Sequence, residues 1–224
     1  MLDEPAVGGS PAVVLQHRGD APAGLLNDVL AEAGFRPTTI RLDLGQPFPD
    51  PADFELAVTL GDSTARQTAA GEIDWLRTAD RAGVAVLALG RGAQSLAVAL
   101  GGRVERSRKS RQAWVWLSKA TPEWIAPGPW LAWRDETIGV PSGATLLAHD
   151  ARGPQVFGAG RHLGVQFHPE VTPGIVAEWV RDARDASLDA QGLLEVTSRE
   201  FAAGSIAGRR LLSTYIHSVA RHAA

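Results

Sequence analysis

The chain has 224 residues, 45% of them apolar and 21% charged, an ordinary globular balance that can bury the core of one large domain. A formal net charge of −3, with cationic residues scattered rather than clustered, argues against a nucleic-acid partner, and no apolar stretch approaches the ~20 residues a membrane helix needs. There is no cysteine, which removes disulfides, thiolate metal sites and thiol nucleophiles together.

The opening "MLDEPAVGGSPAVVLQ" has no basic region followed by an apolar segment, so no secretory signal is expected and a cytoplasmic location follows by default. Residues 1–10 give no element and are candidates for disorder. "AVVLQ" (12–16) is a short apolar run bounded by Pro11 and "HRGD", as in a fully buried strand. "GLLNDVLAEAG" follows as a helix, with Leu25, Leu26, Val29, Leu30 and Ala33 on one face and Gly34 as its stop. "TTIRL" (38–42) and "FELAVTLGD" (54–62) read as strands, the latter ending in a Gly-Asp-Ser-Thr turn. "EIDWLRTADRAG" is helical, and "VAVLAL" (84–89) is a fourth strand that turns abruptly at Gly90-Arg91-Gly92 into another helix. Strands separated by helices argue for an α/β fold with a mainly parallel sheet covered on both faces.

The second half changes character. "RVERSRKSR" (103–111) reads as a solvated loop, and "AWVWLS" (113–118) alternates like a half-exposed antiparallel strand. "PGPWLAWRDETIGVPSGATLLAHD" holds short strand-like runs, and "RHLGVQF" (161–167) is a strand ending at His168-Pro169-Glu170. "TPGIVAEWVRDA" has Thr172 as N-cap, Pro173 at the first helical position, and Ile175, Val176, Trp179, Val180 and Ala183 on one face. The tail is a last amphipathic helix with Leu211, Leu212, Tyr215, Ile216 and Val219 inward. Without repeats or a linker, residues 1–224 read as a single domain, with 198–224 as a C-terminal helical extension. Five of the seven tryptophans (Trp114, Trp116, Trp124, Trp130 and Trp133) are close in sequence, and strand alternation assigns them to core packing and edge covering before a ligand pocket.

Three pieces fall at the carboxyl ends of the expected parallel strands, where open α/β sheets place their sites: Gly61 with Asp62, the Gly90 turn, and His168-Pro169-Glu170. A His and a Glu two residues apart on extended chain point the same way, so the carboxylate can orient the imidazole. Taken alone, that pair also fits a surface His beside a helix-flanking Glu.

With "GVQFHPE" and "VLALGRGAQSLAVALGG", the chain resembles the class I, triad-type glutamine amidotransferases, among them stand-alone proteins similar to the glutaminase domain of GMP synthase. The resemblance runs from "VVLQHRGDAPAGLLNDVLAEAG" to the helix after "GVQFHPEVTPGIVAEWV". It implies a flavodoxin-like, mainly parallel sheet with helices on both faces and a small antiparallel section. It also implies that His168 is the base, Glu170 its orienting carboxylate, and Gly61, Asp62, Arg91 and Gln94 part of the substrate pocket. The oxyanion would sit on the backbone N–H of Arg91 and on the loop around Gly61.

The nucleophilic cysteine of that family falls on Gly90, and a covalent route cannot start without a nucleophile. Ser95 is more than a turn into the helix, whereas Asp62, Ser63 and Thr64 lie in a loop that could face His168. Where the family often reads Trp-His-x-Asp, this chain has Trp133-Arg134-Asp135-Glu136. Arg91 and Arg134, near a helix N-terminus, favour a carboxylate or phosphate over a neutral amide, unless both point to solvent. The expectation is a cysteine-less amidotransferase-like protein without normal glutaminase activity. It would bind a small carboxylate, amide or phosphate metabolite, or dock on a synthase or other biosynthetic partner. The alternative is amide, ester or γ-glutamyl hydrolysis or transfer through His168 and Glu170. No metal and no cofactor are expected.

Overall fold

The computed structural model describes residues 9–61, 66–183, 185 and 187–223. In chain order the elements are β1 (Ser10–Gln16), α1 (Leu25–Glu32), β2 (Phe35–Arg41), β3 (Leu56–Thr59), α2 (Arg66–Arg81), β4 (Ala85–Leu89) and α3 (Arg91–Ala99). There follow β5 (Arg103–Val115), β6 (Lys119–Ala120), β7 (Trp130–Gly139), β8 (Thr145–Asp150), β9 (Gly153–Ala159), β10 (His162–Val165), α4 (Pro173–Asp182) and α5 (Ala190–Ala223).

Eight strands form one sheet in the order β2-β1-β3-β4-β10-β9-β8-β6, and β5 pairs with β7 in a separate two-stranded sheet. From β2 to β10 every neighbour is parallel; from β10 to β6 every neighbour is antiparallel. The α/β reading with a mainly parallel sheet and a small antiparallel section holds.

Side chains alternate across the sheet with the strand period of two. Val14, Val58, Leu87 and Leu89 face a core shared with α1 and α5, which contributes Leu26, Leu30, Leu212 and Ile216. Val13, Leu15, Ala57, Val86 and Ala88 face α2 and α3 through Trp75, Leu76, Ala93 and Leu96. Each central strand is therefore apolar on both faces, which is why "AVVLQ" and "VAVLAL" read as unbroken apolar runs. Thr172 caps α4 by accepting from Ile175 N–H (3.4 Å), and Pro173 takes its first position.

The segment 103–111 corrects one expectation. It is not a loop but most of β5, antiparallel to β7 with a register shift between Arg106 and Arg111. Pairing satisfies the backbone, while Arg103, Glu105, Arg106 and Ser110 remain solvent-exposed, so a charged strand carries the composition of a loop. Beyond it, Trp114 and Leu131 pack with Val171, Ile175, Val176 and Leu193, tying the two-stranded sheet to α4 and the start of α5. That long helix takes in residues upstream of 198 as well. Residues 1–8 lie outside the described residues, and β1 begins at Ser10. Among the described residues no helix is long and apolar enough to cross a membrane.

Leu87, fully buried on the central strand, tests this core. Leu87→Ala should lower the unfolding free energy by about 2–5 kcal/mol in urea titrations. Leu44→Ala, at a side chain 68% exposed, should change it by less than about 0.5 kcal/mol.

Candidate functional site

Strand β4 ends at Leu89, and Gly90 is the N-cap of α3 with φ 55° and ψ −119°. A residue with a Cβ is strained there by about 1–3 kcal/mol, so this turn favours glycine on backbone grounds alone. The ladder to the neighbouring strand continues one step further, with Gly90 N–H donating to Val165 O (2.8 Å). The turn and the His-Pro-Glu segment therefore leave the sheet side by side.

Four contacts fix that segment. Phe167, fully buried, stacks on Trp130 with centroids 4.3 Å apart. His168 N–H donates to Leu131 O (2.9 Å), so β7 grips the segment by a single bridge. Leu25 N–H, at the start of α1, donates to Glu170 O (2.8 Å). Gly208 of α5 lies so close to Pro169 that a Cβ there would overlap the Pro169 carbonyl.

Within this frame His168 Nδ1 lies 2.8 Å from Glu170 Oε1, both residues being buried. The two side chains are thus paired at hydrogen-bond distance. The imidazole also meets Trp179 edge-on, with centroids 4.8 Å apart, and Trp179 in turn meets Trp133 at 5.5 Å. A Cβ at position 90 would fall 2.7 Å from His168 Nε2, 3.2 Å from Nδ1 and closer still to Cε1. The ring thus covers the turn at the point where a side chain would emerge.

His168, Gly61, Arg91, Arg134, Trp133 and Trp179 line one open cleft of about 1060 Å³. Gly61, at φ 60°, is pressed on the first turn of α3, and a Cβ on it would lie 2.8 Å from Gly92 Cα and nearer to Gly92 N. Asp62, Ser63 and Thr64 lie outside the described residues. Gln94 is buried on α3 and is not among the described residues that line the cleft.

The two arginines differ. Arg91 crosses the cleft to Asp135 (2.8 Å) and approaches Glu136 (3.9 Å). Arg134 is 6% exposed; its Nη1 donates to Glu136 O (3.2 Å) and its Nη2 lies 3.8 Å from Asp150. Burial pushes its guanidinium below the usual arginine value, against the pull of Asp150 and with the repulsion of Arg111 and Arg152. Neither arginine simply points to solvent.

Several cleft residues escape sequence reading. The rim carries Arg18 and Arg181 against Asp182, with Asp185 held by Ser110 and Ser187. Of the tryptophans, Trp114 and Trp130 are core, Trp116 is exposed and Trp133 faces the cleft. Behind the turn, Glu72 of α2 is 1% exposed and accepts hydrogen bonds from Thr59 Oγ1 and from Ser95 Oγ (2.9 Å), with His17 Nε2 at 3.2 Å. One carboxylate thereby joins α2, α3 and the ends of β1 and β3. A signal for it exists: Glu72, Trp75, Leu76 and Ala79 share the buried stripe of α2. Among the described residues no cluster suits a metal ion.

No family model matches the chain. It is 32% identical to a glutamine-hydrolysing GMP synthase of Edwardsiella ictaluri over 41% of its own length, and 34% identical to that of Alkalilimnicola ehrlichii over the same share. The matched stretch spans 21% of each, so the chain covers about a fifth of the length of these curated relatives. Two solved structures overlay nearly the whole chain. A glutamine amidotransferase of Thermotoga maritima has a TM-score of 0.81 at 20% identity, covering 93% of this chain and 99% of that one. Another, from Methylobacillus flagellatus, has a TM-score of 0.81 at 21% identity, covering 93% and 95%. The fold is that of class I glutamine amidotransferases.

Breaking the buried pairing behind the turn should be costly. Glu72→Leu leaves Thr59 and Ser95 without their shared acceptor and removes the carboxylate beside His17, and should cost about 3 kcal/mol in chemical unfolding. Ser95→Ala, which removes one donor, should cost about 1 kcal/mol.

Proposed function

We propose that this protein is a cysteine-less member of the amidotransferase fold that works by binding, and that it does not hydrolyse glutamine through a thioester. The observation that carries the reading is the glycine at the apex of the turn in a chain without a single cysteine. Position 90 is where the resemblance to the glutaminases puts their nucleophile, and Ser95, turned toward Glu72, cannot replace it. Loss of a nucleophile lowers turnover by roughly 10⁶-fold in a well-studied hydrolase triad. The cleft then holds a small carboxylate, amide or phosphate metabolite, with Arg91 and Arg134 as the cationic anchors for its anionic end. Similarity to GMP synthases adds docking on a cytoplasmic synthase partner as a second form of the same role.

The test has two arms. Purified protein should release no ammonia from glutamine above the buffer rate, whereas thermal-shift screening of metabolites, or pull-down with candidate synthases, should find a specific stabilising partner. Ordinary ammonia release, or neither ligand nor partner, would refute the proposal.

The intact His168–Glu170 pair favours one other reading, hydrolysis or transfer on amides, esters or γ-glutamyl compounds with His168 as general base. In that case His168→Ala should abolish turnover. A rate unmoved by the substitution removes His168 from the chemistry.

A further inference from the structure

We propose that His168 itself serves as the presented group of the turn, seated there by Gly90, and that Nε2 accepts a hydrogen bond from a ligand whose buried end is an ammonium, amine or hydroxyl group. The ligand half of this rests on the binding reading above; the seat does not.

The seat follows from the close approach. At position 90 a Cβ would come within 2.7 Å of Nε2 and nearer still to Cε1, distances that neighbouring atoms do not tolerate without shifting. Neither partner is free to give. The ring is held by Glu170 at Nδ1 (2.8 Å) and flanked by Trp179, and its backbone is pinned to Leu131. Gly90 is fixed in the ladder by its bond to Val165. Only a residue without a side chain fits beneath the imidazole. Gly90 is therefore the complement of His168 in this molecule, beyond being the place of a missing thiol.

The polarity follows from Glu170. A carboxylate only accepts, so the proton shared with His168 sits on Nδ1, and in the neutral ring Nε2 carries a lone pair. No described residue hydrogen-bonds that nitrogen. A carboxylate or phosphate oxygen cannot satisfy a bare acceptor, whereas an N–H or O–H donor can. An amphoteric ligand would set its donor on His168 and its anionic end toward Arg91 at the same cleft.

Nitrogen-15 NMR of the imidazole at alkaline pH reads the first point: Nδ1 should be protonated and Nε2 bare, and the opposite tautomer overturns the assignment. Titration with 4-aminobutyrate and with succinate reads the second, since the two share a length and one carboxylate but differ at the other end. The amine should shift the Nε2 resonance and succinate should not; equal shifts, or none from the amine, overturn the ligand class. For the seat, Gly90→Ala should lower the melting temperature, and adding His168→Ala should return part of the loss. Strictly additive losses overturn it. Gly90→Cys alone should likewise release no ammonia from glutamine, and release at an ordinary glutaminase rate would overturn the seat. A cleft that binds nothing in a broad screen, while the tautomer and the melting cycle come out as expected, refutes the binding reading and leaves the seat standing.

Discussion

Strand β10 runs parallel to β4 with Val165 opposite Leu89, and the ladder closes on the bond from Gly90 N–H to Val165 O. A slip of one residue would turn every side chain of β10 to the other face of the sheet, and the core on both faces forbids it. Leu163 and Val165 belong to the layer under α1 and α5, whereas Val86 and Ala88 of the partner strand serve the layer under α2 and α3. The register that satisfies these cores is the one that delivers His168 over Gly90. Site geometry here is a consequence of packing several residues away.

The polar groups around the cleft have a different logic, because each must offset its own desolvation. Glu72 does so with three partners, and Asp150 with Arg111 (2.6 Å), Arg152 N–H and Gln155. These two hubs stand behind and beside the cleft, joining elements that the apolar layers alone would leave free to slide. The Asp150 hub pins the two-stranded sheet to the main one, since Arg111 and Arg134 lie opposite each other on β5 and β7. The cleft wall carrying Trp133 and Asp135 belongs to that small sheet, so its distance from α3 depends on a buried ionic contact.

Much of this was legible in the residues, for physical reasons that can be named. Unbroken apolar runs mark doubly covered strands, and the alternation of β1, β3 and β4 between two cores bears out that reading. The Gly-Arg-Gly turn was visible as an abrupt break between an apolar strand and a helix, whereas the His-Pro-Glu pair, ambiguous on its residues alone, was singled out by the family resemblance. The 103–111 part of β5 was not, because its stability comes from pairing with β7 while Arg103, Glu105, Arg106 and Ser110 face water. Nor does local pattern separate Trp133 from Trp114 or Trp130, since all lie on strands and only the position of α4 decides which one meets the cleft. Glu72 shows the reverse case, a charge on an apolar stripe whose meaning depends on hydroxyls from two other elements.

The presence of His-Pro-Glu beside a turn whose apex is glycine needs two explanations. Its backbone is structural: Leu25 is capped by the carbonyl of Glu170, Leu131 holds His168, and Pro169 carries α5. Any sequence able to make those contacts would support the sheet equally well. The side chains are not explained in this way. Glu170 is buried with Oε2 lacking a hydrogen-bond partner among the described residues, an arrangement that costs about 1–3 kcal/mol. A pair of apolar side chains of similar volume would remove that cost. The histidine and its carboxylate therefore stand on the floor of an open cleft at a cost in stability that the backbone contacts of the segment do not require.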